Sequence, residues 1–299
     1  MQVFVTGASG WIGSATVDEL LGVGHEGVGL ARSEAAAAAL EAKGATALRG
    51  DLDDLAALRR GAEDAEGVVH LANKHDFTDQ AESNRAERAA VQTLLDALAG
   101  SDRPLVLASG VAGLAQDRPA TESDPSRWTG PDAPRGGTEN LAMEYVERGV
   151  RAVSARFAPT VHGAGDHGFV ALIAAAARRN GVSGYVGDGS QAWAAVHRTD
   201  AARLVRLGLE QAPAGTRLHA VAEEGVPTRA IAEALGEVFG LPVASIDPAV
   251  AVDRLGGFIG GFFGTDLRAS SAQTRELLGW TPSGPTLLED IAAGAYGQA

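Results

Sequence analysis

Cysteine is absent from the 299 residues. That removes disulfide frames, thiolate nucleophiles and sulfur ligands for a metal. Lysine is almost absent too: of 25 Lys and Arg residues, only Lys43 and Lys74 are lysine. Tyrosine occurs three times, as Tyr145, Tyr185 and Tyr296. No charge-free apolar run approaches the roughly 20 residues of a membrane span; "GGFIGGFFG" (256–264) is among the longest. No charged leader with an apolar core precedes the first strand pattern, so a cytoplasmic protein is expected. Clustered cations are missing as well. With a net charge of −13 and scattered basic residues, neither a nucleic acid nor a membrane is an expected partner. A small molecule is, and the choice between monomer and homodimer stays open.

What is present is alternation. Short apolar runs, "QVFVTG" (2–7), "EGVGLA" (26–31), "ATALRG" (45–50), "GVVHLA" (67–72), "PLVLAS" (104–109) and "AVSARF" (152–157), are separated by Ala-rich helical stretches. Strand–helix alternation at this spacing implies right-handed crossovers and a doubly wound parallel α/β sheet. After Pro159 the pattern loosens. "RTDAARLVRLGLEQA" and "RLHAVA" read as a return to the sheet, and Pro227 onward as two helices with a Gly/Phe loop. The expected division is a nucleotide-binding part over 1–162 and 196–222, with a smaller substrate-binding region over 163–195 and 223–299.

"VFVTGASGWIGSATVDELL" places Gly7, Gly10 and Gly13 between a strand and an amphipathic helix. Glycines there let the backbone turn tightly and approach a pyrophosphate, whose charge sits on the helix N-terminus. The same G-x-x-G-x-x-G spacing recurs at Gly181, Gly184 and Gly187, but no amphipathic helix follows, so that copy reads as loop. The first copy predicts a Rossmann-type dinucleotide site. At the second strand's end, where an NAD site usually carries an acid, the chain reads "GLARSEA". Arg32 and Ser33 there favour NADP(H) over NAD(H), because an arginine pairs with a 2′-phosphate that an acid would repel. The adjacent Glu34 leaves an ordinary surface arginine as the other reading.

"TGASGWIG", "RGDLDD" (49–54), "VVHLA" (68–72), "LASG" (107–110), "RFAPTVHG" (156–163) and "AVHRTDAARL" (195–204) fall in the order seen in the extended and atypical short-chain dehydrogenase/reductases, which the chain resembles. The resemblance implies that Thr6, Gly7, Ser9, Gly10, Trp11, Ile12 and Gly13 cradle the dinucleotide. It also implies Asp51 and Leu52 near the adenine, Leu71 and Ala72 beside the ribose, and Pro159 and Val161 near the nicotinamide. Family members reduce a carbonyl with a Ser, a Tyr and a Lys four residues after the Tyr. Ser109 matches the serine. No Tyr-x-x-x-Lys, and no Tyr-x-x-x-Arg, exists anywhere in the chain. By position Arg135 and Glu139, in "RGGTE", stand where the pair would be. The likeness extends to a divergent branch carrying a "HDF" element, here His75-Asp76-Phe77.

An arginine stabilises an oxyanion but is a poor acid, whereas a histidine donates protons near neutral pH. His75 is therefore the candidate acid, with Ser109 on the carbonyl oxygen and Arg135 beside it. His162 and His167, bracketing "GAGD", are candidate substrate contacts. His70 and His197 read as structural. No cluster has metal-ligand spacing. The aromatics Trp193, Phe258, Phe262, Phe263 and Trp280 read as core more readily than as a pocket wall. Three functions remain: an NADPH-dependent aldehyde or ketone reductase, a nucleotide-binding sensor without turnover, and, least favoured, a sugar-nucleotide epimerase or dehydratase, whose oxidised intermediate needs a strong base where none stands.

Overall fold

The computed structural model describes residues 1–74 and 79–297. Its strands, in chain order, are β1 (Gln2–Thr6), β2 (Glu26–Ala31), β3 (Thr46–Arg49), β4 (Gly67–His70), β5 (Pro104–Gly110), β6 (Arg151–Phe157), β7 (Thr160–His162), β8 (Ser183–Val186), β9 (Ala192–His197), β10 (Thr216–Ala220), β11 (Glu223–Pro227) and β12 (Val243–Ile246). The helices are α1 (Trp11–Gly22), α2 (Glu34–Ala42), α3 (Leu55–Asp64), α4 (Gln80–Leu98), α5 (Thr138–Glu144), α6 (Phe169–Asn180), α7 (Arg198–Gln211), α8 (Thr228–Phe239), α9 (Ala251–Leu255), α10 (Gly257–Phe262), α11 (Ala272–Leu278) and α12 (Leu287–Ala292).

Seven strands form one parallel sheet in the order β3-β2-β1-β4-β5-β6-β10. Both faces are covered, because alternate side chains point to opposite sides and both sets are apolar. Val3, Val5, Val69, Val106 and Val153 pack with α1 and α7. Phe4, Val68, Leu105 and Leu107 pack with α3, α4 and α5 on the other side. The chain runs outward from β1 to β3, then returns to β4 beside β1. Strand order therefore reverses between β1 and β4, and a crevice opens beyond their carboxyl ends, where sheets of this kind bind ligands. Among the described residues no helix is long and apolar enough to cross a membrane.

The remaining strands build a three-stranded sheet, β11-β9-β7, and a two-stranded one, β12-β8. Trp193 and Phe263 are fully buried between them and α6, α8 and α12, and Trp280 is buried in the core of the large sheet. These three aromatics are core. Two local expectations are corrected. The segment with the second glycine repeat is no mere loop: Gly181 caps α6 in the left-handed conformation and 183–186 is a strand paired with β12. The Gly/Phe stretch coils into α10, and the region after Pro227 holds five helices and a strand rather than two helices.

Candidate active site

The glycine loop forms because two positions admit no side chain. Gly7 has φ +67°, and a Cβ there would lie 2.7 Å from the Ala72 nitrogen. A Cβ on Gly13 would lie 2.0 Å from the Gly7 carbonyl oxygen. The loop is thus pressed against Leu71 and Ala72 at the end of β4, and α1 starts against the loop. Gly10 is the N-cap of α1 and offers no side-chain acceptor to the first turn. The N–H groups of that turn are left for an anion. Ser9 and Gly10 are exposed at the turn's tip, and Ile12 packs on the core. Trp11 donates from Nε1 to the Val161 carbonyl at 2.7 Å. Its ring lies under the Arg198 guanidinium and meets the exposed His167 edge-on. This joins the loop to β7, just past the half-buried Pro159.

At the end of β2, Arg32 is exposed and forms no ion pair among the described residues, while Glu34 is taken by Arg49 at 3.1 Å. Ser33 is the N-cap of α2, accepting from the Ala36 N–H. Asp51 accepts from the N–H groups of Asp53 and Asp54 and shapes the turn before α3. The Leu52 side chain is buried in the core. The side chains of Ser33 and Asp51 thus carry local structure.

Ser109 ends β5, and "PRGGTE" approaches it from the side. Arg135, Gly136 and Gly137 adopt left-handed backbone in succession, φ 53°, 62° and 61°. For the two glycines this is obligatory, since a Cβ on Gly136 would lie 2.4 Å from the Asn84 carbonyl and one on Gly137 would lie 2.9 Å from the Gly130 nitrogen. For Arg135 it is strain, which α4 holds in place. Asn84 Oδ1 accepts from the Arg135 N–H at 3.0 Å, Arg88 donates to the Gly136 carbonyl at 2.8 Å, and Glu87 accepts from the Arg135 guanidinium at 2.7 Å. Residues 84, 87 and 88 share one helix face. Glu87 is fully buried, which pushes its carboxyl upward, but Arg135, His70 and Asn73 outweigh burial and bring it down to about 2.

Behind Glu87, His70 Nε2 stands 3.6 Å from its carboxylate and His70 Nδ1 lies 2.9 Å from Thr6 Oγ1. Thr6 Oγ1 also accepts from the Ala72 N–H, so the same hydroxyl joins the end of β1 to His70 and to Ala72. A buried chain therefore runs from the glycine loop through His70 and Glu87 to Arg135.

Glu139 has a different fate. Its two oxygens accept from Arg156 (2.5 and 3.0 Å), Arg217 (3.2 Å) and Ser154 (2.9 Å). Burial raises its carboxyl, yet Arg156 with Ser109 and Ser154 holds it below the usual range. Arg156 is itself wholly buried and also faces His219 Nε2 at 3.4 Å. His219 Nδ1 donates to the Ser270 carbonyl, which leaves Nε2 to accept from Arg156, and burial lowers its pKa. A carboxylate so fully engaged is neither a base nor a holder of ribose hydroxyls.

Ser109, Arg135, Thr138 and Glu139, with Leu114 and Trp128, line a cavity of about 200 Å³. A larger cavity, about 420 Å³, lies between Ala164–Asp166, α6 and residues 294–296. We set it aside for chemistry because its polar groups are spent on one another: Tyr296 donates to Asp166, and Arg178 donates to the Tyr296 carbonyl. His75, with Asp76 and Phe77, lies outside the described residues. His162, expected at the substrate, is corrected. It is fully buried, 2.6 Å from Asp290 through Nδ1 and edge-on to His197, and it packs α12 onto the small sheet. His167 is exposed beside Trp11 and is not part of the Ser109 cavity. Asn84, Glu87 and Arg88 were not singled out from the sequence. Their i, i+3, i+4 spacing carried a signal, but it reads equally as a solvated helix face.

A family model described as the NAD dependent epimerase/dehydratase family matches residues 3–221. An uncharacterized protein of Schizosaccharomyces pombe is 43% identical over 297 residues, 99% of this chain and 100% of that protein. An uncharacterized protein of Saccharomyces cerevisiae is 44% identical over 299 residues, 98% of each. Among solved structures, MoeE5 in complex with UDP-glucose and NAD is similar at 25% identity and a TM-score of 0.76, covering 99% of this chain and 97% of that one.

Proposed function

Because the chain belongs to the NAD-dependent epimerase/dehydratase family, we propose that it is an oxidoreductase of the short-chain dehydrogenase/reductase type that uses NADPH to reduce the carbonyl of a small aldehyde or ketone. The residues present fit the cofactor. Gly7 and Gly13 leave room for a pyrophosphate against an uncapped helix start, and Arg32 is an unpaired cation where a 2′-phosphate would lie. When bound, the cofactor supplies the hydride.

The observation that carries the reading is the convergence of Ser109 and Arg135 on one small cavity. The Ser109 hydroxyl rests against Glu139, whose oxygens keep Arg156, Arg217 and Ser154 as donors. Its hydrogen therefore swings to a carbonyl oxygen at little cost. The Arg135 guanidinium stabilises the negative charge that grows on that oxygen during hydride transfer. The proton then comes from water or from His75. A sugar-nucleotide reading asks far more room than about 200 Å³ and a base at the place of Arg135.

One observation favours the second reading, a non-catalytic NADP(H) sensor: Glu139 is locked into structure where a catalytic lysine would stand. Consumption of reduced nicotinamide, followed by absorbance across a panel of small aldehydes and ketones, separates the two. NADPH binding without consumption on any of them would leave the sensor.

A further inference from the structure

We infer that Glu87 is a positioning residue that sets the substrate class of this cavity to uncharged carbonyl compounds with a short apolar body, by fixing Arg135 and offsetting part of its charge. The inference rests on the reading of the cavity as the substrate site. Among the described residues two charged side chains line that cavity, Arg135 and Glu139. Each is already balanced by a fully buried partner of opposite sign, Glu87 at 2.7 Å and Arg156 at 2.5 Å.

A substrate carboxylate would be drawn by Arg135 but opposed by the Glu87 carboxylate that already faces the same guanidinium, Glu139 being neutralised by Arg156 and Arg217, and it would lose its own hydration on entry. A neutral carbonyl oxygen meets the same guanidinium without that opposition. Ala112, Leu114, Trp128 and Pro134 give the cavity an apolar part to its lining. Glu87 is suited to this duty because it is anchored independently of ligand. Asn73 donates to its second oxygen at 3.1 Å, and His70 stands behind the first. The Arg135 backbone is held separately by Asn84. Position and charge are therefore separable: Glu87→Gln keeps an acceptor for Arg135 and removes the charge, its amide nitrogen replacing the oxygen that faces Asn73.

The test titrates NADPH-saturated protein with isobutyramide and, separately, with isobutyrate, a neutral amide and its carboxylate analogue that are not reduced, and reads both affinities by calorimetry. The wild type is expected to bind the amide at least tenfold more tightly, and Glu87→Gln to shrink or invert that ratio by tenfold. A merely structural Glu87 would weaken both ligands together and leave the ratio alone, which would overturn the inference. Should Glu87→Gln fail to fold, the wild-type ratio decides: isobutyrate bound as tightly as the amide overturns it. Binding of neither ligand overturns it together with the assignment of the cavity. Amide-selective binding without NADPH consumption on any aldehyde would sink the reductase reading and leave the class preference standing.

Discussion

Under the proposed reductase function, Arg135 is the side chain on which the chemistry turns, and its geometry is compatible with serving there without being an acid. It is held from three sides by α4, strained into left-handed backbone, and aimed at the cavity that Ser109 shares. Ser109→Ala and Arg135→Met are each expected to lower turnover at least tenfold, about 1.4 kcal/mol of barrier, while NADPH affinity measured by fluorescence quenching stays put. His75→Ala is expected to lower turnover by a similar factor if the histidine supplies the proton; unchanged turnover assigns that step to water. Arg32 makes a separate claim. Arg32→Ala should weaken NADPH far more than NADH, since only NADPH carries the 2′-phosphate; equal losses would end the argument for that coenzyme. The place of Ser109 at the end of β5 was legible from "LVLAS" alone. The tether on Arg135 was not, because Asn84, Glu87 and Arg88 lie some fifty residues earlier in the chain and only the fold brings them there.

At the scale of elements, the turn 134–137 and helix α4 act as one unit. Gly136→Ala would demand a left-handed alanine with its methyl inside contact distance of the α4 backbone. We expect a loss of roughly 2–3 kcal/mol, read as a lower thermal midpoint, and a drop in turnover larger than the stability loss explains because Arg135 is displaced. An unchanged midpoint would mean the turn is looser than described. The alternating apolar and Ala-rich segments made the six leading strands and their parallel order readable, because strands buried on both faces are apolar along their length. Strand β8 and helix α10 escaped notice for a shared reason. Both are short and contain or adjoin glycines, whose intrinsic preference points to turns, and burial against Trp193 and its neighbours decides otherwise. A left-handed arginine leaves no trace in sequence at all, since nothing about its side chain favours that backbone.

Across the whole molecule, two buried ion pairs flank the cavity and tie stability to acidity. Burial alone would raise the Glu87 carboxyl, but its cationic and polar partners bring it from 4.5 to about 2. A depressed carboxyl contributes stability that is present above its unfolded value and lost as pH falls toward the folded one. The window is therefore pH 4.5 down to about 2, and the amount is about 3 kcal/mol. Glu139 adds loss in the same direction. Chemical denaturation at about pH 6, above that window, and at about pH 3, inside it, should show stability falling steeply in the wild type and less so in Glu87→Gln; parallel curves would mean Glu87 is not depressed.

The Arg156–Glu139–Arg217 group also bears on how this chain can change. Glu139→Lys, at the position the resemblance gives to the family's lysine, would gather three like charges in a largely buried space. A lysine at this position would therefore require Arg156 and Arg217 to change with it, so the charge of residue 139 is set by its neighbours and not by residue 139 alone.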